Sequence, residues 1–166
     1  MLRSLFLLLI VFLGGCAQGV GELKPPDIRY GEDVCAECNM IISDPRYASG
    51  YAYEISPGRY ESVIFDDIGD MLRHADKHPD HKVVAWYVHD FGSQEWLDAT
   101  KASFVHSATL QTPMAFGVAA HATADAANKQ AQEMSGEVMD WNVLMTRFRA
   151  GELGGAGHEG MMKNMN

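Results

Sequence analysis

From Tyr47 onward the apolar positions fall into regular runs. Tyr47 to Ile55 and Tyr60 to Phe65 are rich in aromatic and β-branched residues, and Ser56-Pro57-Gly58 separates them. That pattern predicts a β-hairpin. Ile68, Met71, Leu72 and Ala75 then recur at i, i+3, i+4 and i+7, one face of a helix. Aspartates stand at its start, where they complement the positive end of the helix dipole. Lys82 to His89 (KVVAWYVH) reads as a buried strand.

The second half offers the same order in weaker form. Ala102 to His106 and Phe116 to His121 are candidate strands. Thr123 is placed to cap a helix running to about Ser135, with Ala124, Ala127, Ala131 and Met134 on one side. Glu137 to Trp141 is a further candidate strand, and Asn142 to Ala150 a short terminal helix. The expected fold class is α+β, with two ββαβ units at about 47–90 and 102–141. Their strands either share one core or merely abut. The repeat rests on pattern, since the halves have negligible identity.

The ends read differently. Arg3 precedes an unbroken apolar run, Leu5 to Leu13, and then Gly14-Gly15-Cys16. The run suits a signal peptide over residues 1–15 and is too short to cross a bilayer, which takes roughly 20 apolar residues. Leu13-Gly14-Gly15-Cys16 resembles a bacterial lipobox, in which the Cys is acylated and becomes the new N-terminus. Several acyl chains on Cys16 would give stable anchoring. Residues 16–33, with Gly19, Gly21, Pro25 and Pro26, read as a flexible tether. Residues 151–166 are glycine-rich and read as a disordered tail carrying His158, Met161, Met162 and Met165. The remaining 34–150 would be the folded domain.

Charge narrows the function. The chain has 13 Lys and Arg against 22 Asp and Glu, a net charge of −9. Without a basic run, nucleic-acid binding is not expected. An acidic surface suits an exported domain that handles cations. No Ser-His-Asp order with supporting motifs, no H-E-x-x-H and no phosphate loop is present, so the reading is of a protein that is not an enzyme.

With Cys16 assigned to lipid, Cys35 and Cys38 are the free thiols, too few for a disulfide framework. They stand in Cys35-Ala-Glu-Cys38-Asn-Met40, two thiols and a thioether within six residues. All are soft donors of the type Cu(I) prefers. Cu(I) accepts two or three ligands, so a loop can hold it, and low coordination leaves room for an incoming ligand from a partner. Three other readings compete. A structural zinc site wants four ligands. His74, His78 and His81 could complete one, although that helix end reads more simply as a solvated polar turn. A thiol-disulfide oxidoreductase would use the same Cys pair with a depressed thiol pKa at a helix N-terminus, and Thr112-Pro113 suggests a proline loop facing it. Asp44-Pro45 argues against a long helix after the motif, and Met40 has no part in thiol exchange. A small Cys35–Cys38 disulfide loop is the third alternative.

The lipobox, Cys-x-x-Cys-x-Met, Phe65-Asp66-Asp67, Trp86-Tyr87-Val88-His89-Asp90, Ala102-Ser103-Phe104-Val105 and Thr112-Pro113-Met114 follow one another in order. Together they resemble the NosL family, copper-binding accessory lipoproteins of nitrous oxide reductase assembly. The resemblance runs from Cys16 to about Trp141. It implies a periplasm-facing, lipid-anchored protein that delivers Cu(I) to nitrous oxide reductase beside an ABC-type maturation complex. It also implies a fold of paired ββαβ units like that of organomercurial lyase. Carried over by position, the ligands are Cys38 and Met40 with Cys35, and Met114 either joins them or fills the core. Family members commonly place Gly where this chain has Asn39, a residue that tolerates left-handed backbone. A copper-linked homodimer through the exposed thiolates is compatible with this reading.

Remaining candidates weigh toward structure. Asp66, Asp67 and Asp90 end predicted strands, where caps and turns are expected, with positioning of the metal loop as the alternative. His89, His106 and His121 also sit at strand ends, and each could supply an imidazole to Cu(I), although satisfied histidines are commoner there. Met71, Met134, Met139 and Met145 fall at core positions. The lipid anchor predicts that radiolabelled palmitate enters the wild-type chain and is lost in Cys16→Ser. Label that persists in the variant would refute it.

Overall fold

The computed structural model describes residues 23–153. The signal segment, Cys16, the first part of the tether, and the tail's His158 and methionines lie outside them. Strands β1 (Ser49–Ser56) and β2 (Arg59–Phe65) form the hairpin, followed by helix α1 (Ile68–Lys77) and strand β3 (Lys82–His89). Strand β4 (Trp96–Asp98) then pairs with β3, completing an antiparallel sheet of order β2-β1-β3-β4. The second unit is β5 (Ser103–His106), β6 (Val118–His121), α2 (Ala124–Met134) and β7 (Glu137–Met139), in a sheet of order β6-β5-β7. Helix α3 (Trp141–Arg149) closes the fold. In both units the first strand is central and pairs antiparallel with the other two.

The two units share one core. Tyr51, Phe65, Ile68, Met71 and Val88 from the first pack in the same cluster as Phe104, Phe116, Val118, Met139 and Leu144 from the second. Trp141 on α3 lies between them, its ring 5.2 Å from Trp86 and 6.0 Å from Phe104. The sheets also touch at their ends. Asp90 bridges to Ala120, and its carboxylate accepts from the Ala122 amide at 2.7 Å.

Element boundaries differ from expectation where a cap decides them. Glu137 to Trp141 is not one strand. The Asp140 carboxylate accepts from the Val143 amide and starts α3 at Trp141. Thr123 caps α2 as expected, but the buried face of α2 is Ala127, Gln130 and Ala131, with Ala124 exposed. Gln130 goes inside because its carbonyl oxygen meets His121 Nε2 at 2.7 Å. Strand β4 is too short to show a period of its own.

The last part of the stretch read as tether is packed. Pro26 is buried over Gly50 of β1, and the Gly31 amide donates to the Ile42 carbonyl. The Tyr30 hydroxyl reaches His89 Nε2 at 3.1 Å. Leu153, at the start of the stretch read as tail, is also buried in the core.

Gly69 lets α1 lie directly on the ring of Phe116. A Cβ there would stand 1.9 Å from Phe116 Cγ, and the ring is itself buried. Gly69→Ala should therefore destabilise the protein by at least about 1–3 kcal/mol, the cost of overpacking a filled core. Urea denaturation would measure this, and an unchanged midpoint would show that the ring moves freely.

Candidate metal site

The loop from Asp33 to Ile42 is a small closed device. Val34 and Ile41 pair as a bridge, the Ile42 amide donates to the Asp33 carbonyl, and the Cys35 amide donates to the Met40 carbonyl at 2.8 Å. At its tip, Asn39 turns the chain back with φ of 60°, and its amide donates to the Cys35 carbonyl. An asparagine can hold this left-handed geometry at modest strain. The Ala36 amide donates to the Ile64 carbonyl, and Glu37 pairs with Lys77. The loop is thereby fastened to both β2 and α1.

This fastening brings the thiols onto the start of α1. Cys35, Cys38, Asp66 and Asp70 each present one ligand atom, all within 4.8 Å of one another. The Cys38 thiol donates to Asp66 Oδ1 at 3.3 Å and the Cys35 thiol to Asp70 Oδ2 at 3.6 Å. Cys35, Asp66 and Asp70 are buried, and Cys38 is half-buried. Both thiols are free. Arg73 forms an ion pair with Asp70 at 3.3 Å.

Asp67, between the two site carboxylates, does a different job. It is fully buried. Its side chain caps α1 through the Gly69 amide at 2.8 Å, and accepts from the Thr112 hydroxyl at 2.6 Å and the Met114 amide at 2.9 Å. Burial raises its pKa to about 6 against the lowering by these three donors, each of which favours the carboxylate form. The Thr-Pro-Met stretch is thus held at the entry to α1 through Asp67. The side chain of Met114 is partly buried and packs on the main core. Met40, by contrast, is 43% exposed on the loop.

The electrostatics favour a cation over a nucleophile. Burial pushes the Cys35 thiol above its usual range. Cys38 is raised further, by burial first, then by the Cys35 thiol and the Asp70 and Asp66 carboxylates. Burial likewise raises Asp70. A redox dithiol needs the reverse, a thiolate stabilised at a helix N-terminus. Here Ala36 to Cys38 lie in a turn, with no helix following before α1. Low-dielectric surroundings rich in acid groups suit deprotonation by an arriving metal ion instead.

Most of the other candidate residues have structural partners. His89 is buried, with Nδ1 on the Ala48 carbonyl and its ring on Trp96. His121 is held by Gln130. Buried His106 Nε2 has no hydrogen-bond partner, and none of the three joins the four-residue group. Asp90 holds a turn through Ser93. The His74 end of α1 is not the solvated turn expected from sequence, because His74 is buried against Tyr51. Asp70 was not among the expected site residues. Its place four residues before His74, on the buried side of α1, was the available signal.

A model of the NosL family matches residues 29–147. Among solved structures, the crystal structure of the copper chaperone NosL from Shewanella denitrificans is similar in fold. Its TM-score is 0.59 at 17% identity, covering 72% of this chain and 93% of that one. No curated protein matches the chain.

Replacing Asp66 by Asn should lower the pKa of Cys38, because an anion beside the thiol is removed. The pH profile of iodoacetamide labelling should move to lower pH in Asp66→Asn than in the wild type. An unmoved profile would mean that Asp66 does not contribute to raising the thiol.

Proposed function

Because this chain belongs to the NosL family, we propose that it is a copper chaperone that holds Cu(I) through Cys35, Cys38 and Met40 and passes it to the copper centres of nitrous oxide reductase. The proposal places it outside the bacterial cell membrane, anchored at Cys16 and working beside an ABC-type maturation complex. The observation that carries it is the pair of thiols, Cys35 buried and Cys38 half-buried, fixed beside two carboxylates, with a solvent-facing thioether two residues after Cys38. Sulfur donors select the soft monovalent ion over harder competitors. The carboxylates are poor ligands for it. Their part is to lower the potential at the loop and to accept the thiol protons as the metal displaces them.

Release follows from exposure. Cys35 is enclosed, while Met40 faces solvent. A partner's incoming ligand can therefore replace the thioether first, and the ion leaves by successive exchange of one ligand at a time. Met114, on the Asp67-held stretch, is proposed as a further donor that would leave its packing on the core to reach the ion. Val34 and Ile41, both exposed beside Met40, give the rim an apolar surface for the acceptor or for a second, copper-linked copy of the chain.

A Cu(I) competition titration on the reduced protein tests this, with Cys38→Ser and Met40→Leu in parallel. Tight binding should collapse in the first and weaken in the second. Affinity should also rise with pH, by about tenfold per unit for each thiol proton displaced, because both thiols start protonated. Weak binding indifferent to both substitutions, with disulfide exchange on a test substrate, would favour a thiol-disulfide protein.

A further inference from the structure

Three of the seven histidines gather at the end of α1. His74 and His78 stack with ring centroids 4.2 Å apart, and His78 and His81 stack at 4.9 Å. His74 is buried, and the other two are half-buried. The Tyr51 hydroxyl lies 2.7 Å from His74 Nδ1 and 2.8 Å from His81 Nδ1.

We propose that His74, His78 and His81 form a second metal site, built of imidazoles and suited to Cu(II). Tyr51 supplies the orienting contact that ligating histidines usually have on their other nitrogen. Where Nδ1–H of His74 and of His81 donates to the phenol oxygen, Nε2 of each ring carries the lone pair that a metal needs. The stacked rings do not yet converge, so His78 and His81 must swing their edges round. They have room, because both line a cleft of about 280 Å³ with Asp76, Trp86 and Met145. Burial and the neighbouring His78 hold His74 below its ordinary pKa, which keeps its lone pair available. Glu37 acts on His74 and Asp80 on Tyr51. These acidic neighbours favour a bound cation; Lys77, paired with Glu37, and Arg149, which lines the same cleft, partly offset them. Imidazoles suit divalent copper, which stands highest in the first-row affinity order, whereas the soft thiols suit the monovalent ion.

His74 lies one turn of α1 beyond Asp70, so the two sites would be neighbours with different donor sets. The inference does not rest on the Cu(I) reading, and its test is made with the thiols out of play. Cu(II) is titrated into full-length Cys35→Ser/Cys38→Ser and, separately, into the wild-type chain with its thiols capped by Ag(I), which Cu(II) does not oxidise. Each preparation should bind one Cu(II) with nitrogen couplings from imidazoles in its electron paramagnetic resonance spectrum. Adding His78→Gln and His81→Gln should weaken that binding by about tenfold or more and remove couplings. Cu(II) bound with the same affinity and spectrum after those substitutions, or no nitrogen-coupled signal in either preparation, would overturn the proposal.

Discussion

The arrangement of this molecule depends on the Asp67 carboxylate. It is fully buried, and the amide of Gly69, the hydroxyl of Thr112 and the amide of Met114 all converge on it. One side chain therefore starts α1, fixes the stretch before β6, and joins the first ββαβ unit to the second. Its immediate neighbour Asp66 and, one turn on, Asp70 are carried into position by the same cap. A buried anion with several donors aimed at it tolerates little displacement, since each donor left unpaired costs about 1–3 kcal/mol. The contact of Gly69 with Phe116 works in the same place and for the same end, pressing the helix onto the second unit.

The Cys loop is closed by its own contacts and fastened beside this anchor. Its own ladder closes it, and the Ala36 amide on β2 and Glu37 on Lys77 of α1 hold it down. The result is a thiol pair facing carboxylates. That combination is unfavourable for a nucleophile and favourable for a metal ion, because a cation relieves the crowding of acid groups that a thiolate would aggravate. The same helix then carries its buried polar stripe onward from Asp70 to His74, toward imidazoles in place of thiols.

Much of the fold was legible because the first unit obeys its periods cleanly. The hairpin, the i, i+3, i+4, i+7 face of α1 and the run of β3 all appear within a residue or two of where patterning put them. The second unit was legible in order, less so in its ends, since Asp140 acts only as a cap once α3 has a core to pack on. Of the site, Cys35, Cys38 and the left-handed turn at Asn39 could be read from a short local motif. Asp66 was visible as a strand-end acid, but its role beside Cys38 was not, because 28 residues separate them.

The chain alone determined which soft donors are available, their spacing in one loop, the excess of acid and the repeated element order. These are local properties, set by residue type and period. The tertiary structure decided which acids meet the thiols, that both units share one core, and that the end of α1 gathers three imidazoles beside Tyr51, His74 among them buried. Each of these contacts joins residues far apart in sequence, such as Cys35 to Asp70 and Asp67 to Thr112. No periodicity records such a pairing, because it arises only when separate apolar faces are buried against each other.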